Sequence, residues 1–361
     1  MADPSLNTNS TFTSNCNPLK NEVGEKSIII LRSRRPVTDI PNVEEADSKY
    51  KELIFTLEKG EGWLMSAMRN YKGFWQEERV LPGIMAMEDD FQCRPDDVIV
   101  ASYLKSGTTW LKALTFTIMH RNKYANFLSH PLLKLNPHDC VPFTEYHYAT
   151  RDEQYLETLP CPRVLGTHLP YSILPESIKK SKCPIIYISR EPKDVLVSLW
   201  HMMNKSQGFN KSFTFTRAFE LFCEGQMPFG PVWDHVLEYY MKSLQLNPNC
   251  EKRLILFLKY EEMMNDPVNG VMKLANFIGC PFQAEEIRNG IVDEIVDFCS
   301  FNKLKDLDIN KNGGIGIDNA QNDFFFRKAV VGDWQNHMTP EMAIKLDEIT
   351  KQKLHKSGFT Y

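Results

Sequence analysis

The sequence predicts an α/β fold: a single domain with a central, mostly parallel sheet flanked by helices. Two observations carry this expectation. Apolar runs of about five residues, the signature of strands buried on both faces, alternate along the chain with segments of helical periodicity. Beyond about residue 49 there is no internal repeat and no linker long enough to separate two domains. Of the 361 residues, 42% are hydrophobic and 24% charged, which is enough apolar material for one large core.

Taken in chain order, residues 1–48 are rich in Asn, Ser, Thr and charge, with Pro36 and Pro41 breaking any helix. They read as a flexible N-terminal arm, and residues 49–361 as the folded domain. Residues 98–103 form the first buried-strand candidate. That run meets Lys105-Ser106-Gly107-Thr108-Thr109 and then a helix over 110–121, where Leu111, Leu114 and Ile118 share a face. Residues 163–167, 184–189 and 254–258 supply three more strands. The strand at 184–189 feeds Arg190-Glu191-Pro192 and a helix that turns Val195, Leu199 and Met202 inward, with proline suited to the first turn. Thr339-Pro340-Glu341 opens a last helix striped by Met342, Leu346 and Ile349.

Charge and cysteine usage narrow the function classes. A net charge of −4 supplies no global basic field, so neither nucleic acid nor an anionic membrane is an expected partner. Nine scattered cysteines with no CxxC pair and no secretory signal point to reduced thiols and a cytoplasmic location. The apolar run at residues 28–31 is far too short to span a bilayer. No metal site is expected: His138-Asp139-Cys140 and Glu145-Tyr146-His147 lack ligand spacing.

The chemistry concentrates at the first strand–loop–helix. A Gly-containing loop that opens a helix points backbone N–H groups at one spot, where the helix dipole favours an anion. Lys105 adds a point charge, and Ser106, Thr108 and Thr109 add hydroxyl donors. Taken alone, this stretch fits a plain strand-to-helix turn as well as a phosphate site. It lacks the Walker A spacing.

Two further stretches shift that balance. Residues 103–110 (Tyr-Leu-Lys-Ser-Gly-Thr-Thr-Trp) resemble the phosphosulfate loop of the cytosolic sulfotransferases. Residues 326–334 (Phe-Arg-Lys-Ala-Val-Val-Gly-Asp-Trp) resemble that family's C-terminal signature, Arg-Lys-Gly-x-x-Gly-Asp-Trp. Between them, residues 189–195 with Ser198 resemble its 3′-phosphate region, and the motifs at 136–138, 141–143 and 167–171 look most like its plant branch, whose members sulfate flavonols and brassinosteroids.

The resemblance implies a P-loop-like sulfotransferase fold and a transfer enzyme of plant secondary metabolism. The donor it implies is 3′-phosphoadenosine 5′-phosphosulfate (PAPS), released as phosphoadenosine phosphate (PAP), with no metal required. The acceptor it implies is a small hydroxylated metabolite such as a flavonoid or a steroid-like compound. Carried onto this chain, Lys105 meets the leaving 5′-phosphate, with Ser106, Gly107, Thr108 and Thr109 cradling it. Arg190, Ser198, Arg327 and Lys328 hold the 3′-phosphate, and Ala329 sits beside them. Trp110, Tyr260, Cys299 and Phe301 fall at nucleotide-lining positions, and His168 becomes the general base. The catalytic set is therefore His168, Lys105 and Ser198. Tyr71, Phe74, Trp75, Phe143 and Tyr146 are the aromatic candidates for an apolar acceptor pocket.

Four departures from the family pattern bear on this reading. Leu104 replaces a proline before the loop lysine, and Gly166 stands where many animal members carry a lysine. Ala329 replaces the glycine of Arg-Lys-Gly, a costly change wherever the backbone needs a positive φ. The animal dimerisation signature is broken at Gln335, Pro340 and Ile344, so no dimer is expected by that route. Two other functions compete: a sulfotransferase-like nucleotide-binding protein that has lost catalysis, and a small-molecule P-loop kinase. The kinase would need the GK[ST] loop that this chain lacks.

Overall fold

The computed structural model describes residues 48–63, 67–205, 213–247, 252–313 and 322–361. The arm expected at 1–48 lies outside the described residues, apart from Ser48.

Among the described residues, seven strands form two sheets. Strands β1 (Lys59–Gly60), β2 (Met68–Tyr71) and β3 (Phe74–Glu77) make an antiparallel sheet, while β4 (Val98–Ser102), β5 (Val164–Thr167), β6 (Ile185–Ser189) and β7 (Ile255–Lys259) make a parallel one. The parallel sheet runs β5-β4-β6-β7, with Val100 opposite Gly166 on one side and Ile186 on the other. The four strand expectations hold to within one residue at each end. The fold class is as expected: a central parallel sheet flanked by helices.

Both sheet faces are buried, which is why these strands read as continuous apolar runs rather than alternating ones. Ile99, Ala101, Ile185 and Tyr187 face one core cluster, whereas Val98, Val100, Ile186 and Ile188 face the other. Helix α1 (Thr108–His120) departs from the single-faced expectation. Lys112, Thr115 and Thr117 are buried along with Leu111, Leu114 and Ile118, because helices cover it on the side away from the sheet. It also begins at Thr108, two residues before the expected start.

Helices α2 (Thr144–Ala149), α3 (Pro192–Lys205), α4 (Val232–Ser243) and α5 (Pro340–Lys353) complete the elements that matter for the site. In α3, Val195 and Leu199 are buried as expected, Met202 packs half-buried against the core, and Met203 joins the core as well. The antiparallel sheet was not foreseen. Its hairpin turns through Lys72 and Gly73, both at positive φ (53° and 87°), as a two-residue hairpin turn demands.

At the amino ends of β4 and β5, the Arg163 guanidinium grips Asp97 with two bonds, 2.8 Å from Nε and 2.6 Å from Nη2. Neither side chain is exposed, and Arg163 also donates to Leu156 O and Gln92 O. Removing one partner strands the other charge in the interior. Arg163→Met should therefore cost about 3–5 kcal/mol in denaturant unfolding.

Candidate active site

Because β4 has β5 on one side and β6 on the other, the connections leaving it and β6 diverge and open a crevice beyond its carboxyl end. The loop from β4 into α1 lies there. Lys105 takes φ +62° and Gly107 φ +109°, a tight path that leaves the first-turn N–H groups of α1 facing outward. Gly107 is required twice over: by its φ, and because a Cβ there would lie 2.8 Å from the Tyr260 ring.

Positive charge converges around this loop. Arg190, directly after β6, lies over the Tyr260 ring at 4.5 Å and donates to Val330 O. Arg327 and Lys328 both reach Asp333, whose carboxyl is held well below the usual range by those cations, against the opposing effect of its burial. Burial, then repulsion from Arg190 and Arg327, pushes the Lys105 ammonium down to about 7. Among the described residues, Ser106 Oγ, Arg190 Nε and Arg327 Nε are buried with no hydrogen-bond partner. Unpaired donors beside a cluster of cations are the complement of an anion.

A cavity of about 370 Å³ opens over the loop. Of the expected residues, Lys105, Gly107, Thr108, Thr109, Trp110, His168, Ser198, Tyr260, Cys299, Phe301, Arg327 and Ala329 line it. Ser106, Arg190 and Lys328 stand outside its wall: Ser106 and Arg190 are buried behind it, and Lys328 leans out to Asp333. Trp110 and Tyr260 meet edge to face at 5.9 Å. Cys299 is fully buried, its Sγ donating to Thr117 Oγ1 at 3.4 Å, and burial pushes its thiol up to about 12. It is apolar lining.

His168 directly follows β5. Its Nδ1 lies 2.8 Å from Ser102 O, which can only accept, so Nδ1 carries the proton and Nε2 keeps the lone pair. Its own N–H donates to Glu145 Oε1 (2.7 Å), and its carbonyl accepts from His235 Nε2 (2.9 Å). Burial pushes the imidazole down to about 3, so the ring is neutral at physiological pH.

Of the five expected acceptor aromatics, Phe143 and Tyr146 line the cavity. Tyr71, Phe74 and Trp75 do not. The Tyr71 hydroxyl is tied to Glu88, and the other two are core residues of the unforeseen sheet. That sheet instead brings Glu77, Arg79 and Val80 to the wall, and β3 pairs its Trp75 backbone with residues 229 and 230, which places Phe229 there too. His138 was also missed as a pocket residue. Its Nε2 meets Thr109 Oγ1 at 2.9 Å, a pairing across 29 positions that no local pattern announces.

Ala329 has φ +54°, the left-handed region that its motif glycine would suit. Ala329→Gly should relieve about 1 kcal/mol of strain, seen as a rise of about 2 °C in Tm.

The sulfotransferase domain family matches residues 95–358. Cytosolic sulfotransferase 5 of Arabidopsis thaliana is 42% identical over 323 residues, spanning 88% of this chain and 98% of that relative. A crystal structure of an Arabidopsis thaliana sulphotransferase aligns at 35% identity with a TM-score of 0.67, covering 86% of this chain and 94% of its own. A mouse sulfotransferase complexed with PAP aligns at 27% identity and a TM-score of 0.62, covering 80% and 95%.

Proposed function

We propose that this chain, which belongs to the sulfotransferase family, moves the sulfuryl group of PAPS to a hydroxyl of a small acceptor. The observation that carries the reading is one cavity that holds an uncompensated cationic loop at one end and the lone-pair nitrogen of His168 at the other. Sulfuryl transfer asks for that pairing. Charge builds on the leaving phosphate oxygen as the donor S–O bond breaks, and the attacking hydroxyl must lose a proton.

Lys105, the Gly107–Thr109 turn and the α1 N-terminus receive the 5′-phosphate. Arg190, Ser198, Arg327 and Lys328 receive the 3′-phosphate, and Trp110, Tyr260 and Phe301 enclose the base. The unpaired Ser106 Oγ, Arg190 Nε and Arg327 Nε support this fit. As the acceptor oxygen bonds to sulfur, its proton passes to His168 Nε2, and PAP departs with the bridging oxygen. The two phosphate groups, the nucleotide and the acceptor share one domain, which we place at residues 49–361.

Phe143, Tyr146, Met202 and Phe229 make the acceptor end apolar and aromatic, and the Glu77–Arg79 pair gives it one polar corner. We read the acceptor as a flat hydroxylated metabolite of flavonoid or steroid-like type. The relatives are named cytosolic, and among the described residues no helix is long and apolar enough to cross a membrane. We place the reaction in the cytosol.

His168→Ala should lower kcat by about 10²–10⁴-fold in a sulfate-transfer assay while PAP binding by calorimetry survives. Undiminished turnover would remove His168 from the mechanism. Lys105 makes donor affinity depend on pH. Free Lys105 titrates near 7, whereas the complex needs it charged, so PAP binding takes up a proton above that point. Affinity should fall by up to about tenfold per unit above about pH 7, a slope that Lys105→Met abolishes.

A further inference from the structure

Helix α1 buries a lysine. Lys112 is fully shielded from solvent, and its Nζ donates to Val141 O at 2.8 Å and sits 3.0 Å from the centroid of the Phe143 ring. The space it occupies exists because β5 carries glycine at position 166. A Cβ there would come within 2.5 Å of the Lys112 Nζ and 3.3 Å of Phe143 Cδ1. Residues 142 and 143 run beside that glycine, with Gly166 N donating to Pro142 O and Phe143 bridging Gly166. The same Phe143 ring also meets the reacting site. It lines the cavity, and its centroid lies 4.4 Å from that of His168.

We propose that Lys112 is a positioning residue for His168: its ammonium, housed by Gly166, props Phe143 against the imidazole and keeps a positive charge behind it. The inference rests on His168 acting as the base. Burial opposes a charge on Lys112, and the Val141 carbonyl oxygen and the Phe143 face offset that cost for an ammonium. Glu145, buried on α2, accepts from the His168 backbone N–H; burial raises its carboxyl above the usual range, and that bond and the Lys112 charge oppose the rise.

The charges and titratable groups facing His168 are Lys105 from the loop, Lys112 from α1, Glu145 from α2 and His235 from α4, with the Glu77–Arg79 pair across the cavity. Burial and the cations oppose protonation of the imidazole, and the hydrogen bond to the Ser102 carbonyl favours it. Lys112 is the largest of the charges that hold His168 in its basic form, acting in the same direction as burial. Removing it lifts that repulsion and so raises the imidazole pKa.

Lys112→Met keeps the length of the side chain and removes the charge. In the full-length enzyme, kcat/KM for sulfate transfer should drop about fourfold between pH 6 and pH 4.5, where wild type stays level. The PAP dissociation constant at pH 7 should change less than twofold, because Phe143 rather than the donor loop is released. Gly166→Ala, which drives its methyl into the ammonium, should move the acid limb the same way and serves if Lys112→Met does not fold. A variant limb that matches wild type down to pH 4.5, or an equal loss of PAP affinity, overturns the proposal. Imidazole NMR, with the His168 signal assigned by its loss in His168→Ala, separates the two claims. Full turnover in His168→Ala defeats the base assignment. A His168 titration unmoved in Lys112→Met defeats the role of Lys112.

Discussion

Gathering like charges in a dry crevice is the constraint on which the site depends. Lys105, Arg190 and Arg327 repel one another, and burial strips them of water, which is why Lys105 gives up its proton near neutrality. Such a cluster persists only on a scaffold that does not yield. The parallel sheet supplies it, with β4, β5 and β6 each delivering one functional loop at its carboxyl end. Asp333 and Asp194 relieve part of the strain. Asp333 pairs with Arg327 and Lys328, while Asp194 lies 3.4 Å from Arg190 and accepts from the backbone of residues 332 and 334. An incoming anion completes what these carboxylates begin.

The base is held by a different device. His168 is bonded at its ring nitrogen, its backbone N–H and its carbonyl, so neither tautomer nor ring plane is free to drift. The support continues outward. His235 donates to the His168 carbonyl and accepts from the Tyr187 hydroxyl at 2.9 Å, which ties the base to β6, two strands across the sheet. Two buried ionisable side chains flank this chain of bonds, Glu145 through the backbone and Lys112 through Phe143.

Much of the donor half is legible in the residues themselves. The four buried strands stand out because parallel strands are apolar on both faces, and the loop motif at 103–110 places Lys105 in the turn and the α1 start to within two residues. The acceptor wall is not legible in that way. Tyr71, Phe74 and Trp75 have the right chemistry, yet hairpin register sends them to the core and to Glu88, while Glu77, Arg79 and Phe229 reach the cavity. The Lys-Gly turn at 72–73 is the one local signal for that hairpin, and even it says nothing about which residues end up facing the cavity.

The sequence by itself determined the elements whose cause is local: strand runs, the loop glycine, helix starts and the order of the donor motifs. It also raised the right question at Ala329, whose left-handed backbone only the folded chain displays. Tertiary structure alone decided the long-range pairings: His138 with Thr109, Glu145 with His168, and the Lys112 ammonium in the space left by Gly166. The reason is physical. Local conformation is written in neighbouring residues, whereas the field and wall around a reacting group are set by whatever distant side chains the packing brings there.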